Sequence, residues 1–189
     1  MNWLNLLWPF TSNIPASVVD DNEFTVAVAE SVTAGALSNA LCAEPGSSRF
    51  FKGGIVTYSI QSKKEILNVD IEYSEKNNFA NVFTTSEMAR SVVKIFNSRI
   101  GLATTGYSLP MQREENKELN QCALNIKHPY AYICLYDSQN NKDIIREINF
   151  TYDEHQSPKM QRAMVQTKVS IEGLNLYNEY KQANCKKII

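Results

Sequence analysis

Glycine is scarce in this chain: seven of 189 residues, about half the usual frequency of roughly 7%. Each glycine that is kept therefore marks a place where the backbone is tightly constrained. An excess of one charge is also missing. Nineteen Lys and Arg stand against twenty Asp and Glu, so no global field draws nucleic acid or an anionic membrane surface. Metal-ligand spacing is absent too. Cys42, Cys122, Cys134 and Cys185 form no C-x-x-C pair, His128 and His155 are the only imidazoles, and no zinc site can be written from them. No basic n-region precedes the apolar stretch from Trp3 to Phe10, so the chain reads as cytoplasmic and reduced, without disulfides. That stretch, about ten residues, is too short to span a bilayer. It reads as an arm that packs on the domain or on a partner subunit; an interfacial anchor is the weaker alternative, because no Lys or Arg lies near it.

What remains is ordinary. Hydrophobic residues make up 43% and charged residues 21%, enough to fold one domain of usual size. The expected organisation is an N-terminal aromatic arm and linker over 1–23, a domain over 24–181 and a polar tail over 182–189. Phe24 to Ala29 (FTVAVA) is β-branched and apolar, the pattern of a strand buried on both faces. Ala34 to Ala43 follows as a helix with Ser31 or Thr33 as its N-cap. After the Pro45-Gly46-Ser47-Ser48 break come a strand over Gly54 to Ser59 and a short helix over Ile60 to Leu67. Asp70 to Asn78 is polar, and Thr84-Thr85-Ser86-Glu87 caps a helix through Phe96. Ile100 to Thr105 is a third buried strand. Residues 111–125 show no clean period and read as a surface excursion. Tyr130 to Tyr136 and Asp143 to Phe150 form an antiparallel hairpin. Ser157 to about Tyr180 closes the domain as an amphipathic helix with Met160, Met164, Val165, Val169, Ile171, Leu174 and Tyr177 on its buried side. The sum is an α/β fold whose sheet carries an antiparallel portion and is covered by helices on both faces.

In such a sheet ligands bind beyond the carboxyl ends of the parallel strands. The residues there are Glu30, Ser31 and Thr33 after the first strand, Tyr58, Ser59 and Lys63 after the second, and Thr105 after the third. Histidine is absent from the set, so a Ser-His-Asp triad has no candidate; a serine can still be activated by a desolvated lysine. Each residue also has a plain structural reading: Ser31 and Thr33 as helix caps, Ser48 as a turn serine, Tyr58 as a half-buried strand residue, Lys63 and Lys64 as solvated lysines.

AESVTAG, PGSSRFFKGGIVTYSIQSKKEIL and ATTG, at these separations, resemble the CinA C-terminal domain family, whose pattern is ESCTGG, PGSS-x-x-F-x-x-G-x-V-T-Y-S-x-x-x-K and TGIAGP-x-GG followed by KPVGTV. The resemblance runs from about Phe24 to the final helix. It implies a three-layer α/β/α sandwich with a mostly parallel sheet and an antiparallel portion. It also implies a homodimer and the activity of the stand-alone form, hydrolysis of the carboxamide of nicotinamide mononucleotide to nicotinate mononucleotide and ammonia, with no cofactor and no metal. Carried over, Ser48 is the expected nucleophile, with Tyr58 and Lys63 to activate it. Ser31, Thr33, Thr105 and Gly106 hold the nucleotide or the oxyanion, and Glu30 orients them.

The chain departs from that pattern in three places. Val32 and Ala34 replace Cys and Gly, and Ala34 is costly if the position needs φ > 0. TGIAGP-x-GG has become TGYSLPMQREEN, which removes the Gly-Gly pair. An arginine that follows the family's last strand is missing, and Arg162 from the next helix is the substitute. Two functions stay open: an amidohydrolase with an altered ligand loop, or a CinA-like binding or regulatory module without turnover.

Overall fold

The computed structural model describes residues 23–114 and 123–185; the expected arm and most of the linker lie outside them. Strand β1 (Val26–Glu30) is followed by helix α1 (Ala36–Ala43), the single turn α2 (Ser47–Phe50) and β2 (Phe51–Val56). Helices α3 (Ile60–Leu67), α4 (Ile71–Lys76) and α5 (Val82–Phe96) lead to β3 (Ile100–Tyr107). A ribbon of β4 (Met111–Arg113) and β5 (Leu124–Ile126) precedes the hairpin β6 (Tyr130–Asp137) and β7 (Lys142–Asn149), and α6 (Pro158–Cys185) closes the chain. The main sheet has the order β2-β1-β3-β6-β7. β1 pairs in parallel with β2 and β3, while β3–β6 and β6–β7 are antiparallel. The expected α/β/α sandwich is thus present, its sheet divided evenly between the two kinds of pairing.

Alternation along β1 separates two cores. Val26 and Val28 join Leu37, Leu41, Leu102, Ile133, Val169 and Tyr177 on the α1 and α6 face. Ala27 and Ala29 join Met88, Ala89, Val92 and Ala103 on the α5 face. The side chains β1 and β3 give the second face are small because α5 lies close: a Cβ on Gly101 would meet the Ala89 carbonyl oxygen at 2.0 Å. The connection from β1 to β2 runs through α1, and that from β2 to β3 runs through α5 on the other face. The carboxyl ends of β1, β2 and β3 are therefore a topological switch point.

Several expectations need correction. Neither Ser31 nor Thr33 caps α1. The buried Glu30 carboxylate does so, accepting from the backbone N–H of Gly35 (2.9 Å), Leu37 (3.1 Å) and Ser38 (2.8 Å) and from the Ser38 hydroxyl. A carboxylate is the stronger partner for a helix N-terminus, since it satisfies several free N–H groups and the dipole together. To reach it the chain turns through Ala34 (φ 51°) and Gly35 (φ 101°), so the alanine does occupy a left-handed position. The second strand runs over 51–56 rather than 54–59, because Thr57 and Tyr58 already leave the sheet toward α3. The polar stretch after Asp70 contains α4, capped by the Asp70 side chain on Tyr73 N–H. Asn81, not the Thr84 to Glu87 run, caps α5; Thr84 and Thr85 are buried in its first turn. Residues 111–113 and 124–126 are paired strands rather than an irregular excursion. On α6, Val165, Val169, Leu174 and Tyr177 are buried as expected, but Met160 and Met164 are about half exposed, because the buried row at this end of the helix runs through Gln161, Val165 and Val169, one position further along.

Candidate active site

At the switch point a cleft of about 220 Å³ opens, lined by Ser31, Tyr58, Lys63, Thr105, Gly106 and Arg162, with Phe79, Tyr107, Met111 and Leu124 among the residues that complete its wall. An apolar cavity of roughly 150 Å³ accommodates benzene, so one substituted ring fits here.

Lys63 is the centre of the arrangement. Ser59 caps α3 by accepting from Ser62 N–H (3.0 Å), which fixes the first turn, and side chains on a helix lean toward its N-terminus. Lys63 accordingly reaches back into the cleft. Its Nζ donates to Ser31 Oγ at 2.9 Å, to the Thr57 carbonyl at 2.7 Å and to the Tyr58 carbonyl at 3.3 Å. All three acceptors are uncharged, and the side chain is buried. Burial without a counter-charge disfavours the ammonium and draws its pKa down to about 8. Ser31, just past β1, is held by its own N–H to the Thr104 carbonyl (3.0 Å).

The remaining expected residues divide. Tyr58 is largely exposed, and its hydroxyl accepts from Arg162 Nη1 at 3.1 Å, so Arg162 from α6 does reach the cleft. Thr105 is buried, with Oγ1 2.7 Å from Thr85 Oγ1. Gly106 has no room for a side chain: a Cβ would lie 2.3 Å from the Tyr130 carbonyl oxygen. Thr33 faces Thr104, hydroxyl to hydroxyl at 2.7 Å, and like Glu30 is not part of the cleft wall. Lys64 is exposed, as a solvated helix lysine should be.

Ser48 is the expected residue that the structure sets apart from the others. It is exposed in α2, immediately before β2, whereas Tyr58 follows β2. Six strand residues rise about 20 Å, which places Ser48 beyond the amino end of β2 and Lys63 beyond its carboxyl end. The serine in contact with the lysine is Ser31.

Phe79 and Tyr107 escaped the sequence reading. Asn78 (φ 61°) and Phe79 (φ 57°) are consecutive left-handed residues, and the Tyr107 hydroxyl donates to the Asn78 carbonyl at 3.0 Å. The Asn77-Asn78 pair was the available turn signal; nothing marked the phenylalanine.

The model of one protein family, described as the CinA C-terminal domain, matches residues 11–156. A CinA-like protein of Fervidobacterium nodosum is 34% identical over 127 residues, covering 67% of this chain and 31% of the relative. The chain spans only 28% to 31% of the length of the first curated relatives it matches. Among solved structures, competence damage-inducible protein A of Klebsiella pneumoniae superposes with a TM-score of 0.65 at 22% identity, covering 85% of this chain and 88% of that one; this shows the fold. A competence or damage-inducible protein of Enterobacter asburiae gives 0.61 at 25% identity, over 82% and 87% of the two chains.

Proposed function

The chain belongs to the CinA C-terminal domain family, and from that premise we propose that it is an amidohydrolase whose nucleophile is Ser31, activated by Lys63. The observation that carries this reading is the 2.9 Å contact between Lys63 Nζ and Ser31 Oγ, made by a buried lysine whose other partners are two carbonyls. The neutral amine takes the Ser31 proton, and the oxygen attacks the carboxamide carbon. The resulting ammonium returns the proton to the leaving nitrogen, so ammonia departs and an ester to Ser31 remains. Water then adds, its proton passing to Lys63, and the ester bond to Ser31 breaks as Lys63 returns that proton to Ser31 Oγ, releasing the acid, which ionises to the carboxylate. Tyr58, whose oxygen already accepts from Arg162, keeps its phenolic proton for the carbonyl oxygen as charge develops.

The substrate proposed is nicotinamide mononucleotide. The aromatic wall of Phe79 and Tyr107 suits a flat pyridine ring, and Arg162 at the cleft supplies a cation for the phosphate. A binding module without turnover is the second reading; what favours it is the β4 strand at Met111–Arg113, which stands where the family carries its Gly-Gly pair. Ammonia release from nicotinamide mononucleotide by the purified chain separates the two. The amidohydrolase also yields, on acid quenching, a nicotinoyl-nucleotide mass on the peptide that carries Ser31. Absence of both products from folded protein that binds the nucleotide would leave the binding module.

A further inference from the structure

The direction of one hydrogen bond in the cleft wall follows from counting protons. Thr85 sits buried in the first turn of α5, and its hydroxyl oxygen lies 2.6 Å from the Asn81 carbonyl oxygen. A carbonyl has no proton to give, and two oxygens this close repel unless a proton lies between them. The single Thr85 hydroxyl proton is therefore committed to Asn81. The same Thr85 oxygen is 2.7 Å from the Thr105 oxygen. That contact needs a proton as well, and only Thr105 can supply it. Thr105 lines the cleft with no proton left for a ligand, so its hydroxyl can only accept. Tyr58 is the reverse case: its oxygen accepts from Arg162, and its proton has no acceptor among the described residues.

We infer that Thr85 is a positioning residue that makes Thr105 an obligate acceptor, so that the cleft distinguishes a primary carboxamide from the corresponding carboxylate. The amide has an N–H to give to Thr105 and an oxygen to receive from Tyr58. The carboxylate brings only lone pairs, and at Thr105 they meet lone pairs. The inference rests on the amidohydrolase reading and deepens it. It also replaces the expectation that Thr105 donates to the oxyanion. Discrimination of this kind is strong because a polar group that loses its partner on binding is left unsatisfied.

Two measurements test it. Neutron diffraction from deuterium-exchanged crystals of the chain should place deuterium on Thr105 Oγ1, directed at Thr85; deuterium directed away from Thr85 would overturn the inference whatever the substrate is. Calorimetric titration then compares nicotinamide mononucleotide with nicotinate mononucleotide on the Ser31→Ala chain, alone and with Thr85→Val or Thr85→Ser added. Valine keeps the shape of threonine and frees the Thr105 hydroxyl to turn. The amide-over-carboxylate preference should fall about tenfold with Thr85→Val and return with Thr85→Ser. An unchanged ratio, or equal loss of both ligands, contradicts the positioning role. If neither nucleotide binds the Ser31→Ala chain, the substrate reading fails, while the neutron map still decides the direction of the bond. Should the Thr85→Val chain not fold, that map alone is decisive.

Discussion

The two ends of the sheet each hold a buried cation, and they treat it in opposite ways. At the amino ends of β1 and β3, Arg99 meets Asp137 at 3.0 Å and Glu23 at 3.1 Å and lies over the Phe24 ring. Asp137 also accepts from the Tyr180 hydroxyl at 2.7 Å and the Gln139 N–H at 2.8 Å. Burial alone would raise the Asp137 carboxyl, but the hydrogen bonds from Arg99, Tyr180 and Gln139 and the charge of Arg99 outweigh it and hold the group below its usual range. At the carboxyl ends, Lys63 has one hydroxyl and two carbonyls and no carboxylate among the described residues. The first end is fully paired and stabilises the fold. The second leaves a charge uncompensated, which costs stability and yields an amine that can shed its proton near neutral pH.

Backbone strain follows the same division. The left-handed residues at the amino-end side include Asn97 and Asn141, and asparagine tolerates that conformation. At the carboxyl-end side they include Asn78 as well, but also Ala34, in the turn before α1, and Phe79, in the cleft wall, which tolerate it poorly.

The largest effect expected from breaking the comparison is on turnover. Lys63→Met should lower kcat/KM for nicotinamide mononucleotide by about a thousandfold or more, yet leave Tm unchanged or higher, because it removes an uncompensated charge. Arg99→Met should do the opposite. It strands Asp137, costs about 3 kcal/mol and lowers Tm by about 10 °C, with the catalytic rate of the folded fraction retained. Paired melting curves and steady-state assays read both. If Lys63→Met melts as low as Arg99→Met, the contrast between the two ends is wrong.

Titration sharpens the comparison further. Activity should rise with pH through about 8 as Lys63 loses its proton. For stability, the folded pKa lies below the unfolded value of about 10.5. Below pH 8 the lysine is charged in both states and the folded state carries the whole burial penalty. Between 8 and 10.5 the unfolded state binds more protons, so stability rises with pH by on the order of 3 kcal/mol. Lys63→Met should flatten that rise in denaturant titrations. Asp137 works at the other limit: its contribution is present above the unfolded carboxylate pKa and is lost as the solution is acidified. Asp137→Asn should weaken that acid sensitivity.

The smallest effect concerns Ala34. Ala34→Gly relieves a left-handed alanine and should add about 1 kcal/mol, a Tm increase of about 3 °C. A loss of stability would mean that the α1 entry turn is not strained.

Most of the fold was legible because its strands are short apolar runs separated by clear breaks. β3 and the β6–β7 hairpin fell where alternation and turn residues placed them, and α3 matched its expected limits. The cap of α1 was missed because Glu30 acts across a turn that only positive φ allows, a relation no local propensity encodes. Met160 and Met164 flank the buried stripe of α6, but the residue that enters it in the first turn is the polar Gln161, which a hydrophobic pattern passes over. At the site, Tyr58, Lys63, Thr105 and Arg162 were all identified and do meet. The resemblance put the nucleophile at Ser48, and sequence spacing does not show that Ser48 precedes β2 whereas Ser31 and Lys63 follow β1 and β2 at the other end of the strands.

The central claim, that the lysine works on the serine after β1, is tested most directly by ammonia release at pH 8 from Ser31→Ala and Ser48→Ala chains beside the unmodified one. The account predicts that Ser31→Ala falls by about a thousandfold or more while Ser48→Ala keeps activity within a few fold. A silent Ser48→Ala chain beside an active Ser31→Ala chain would contradict it.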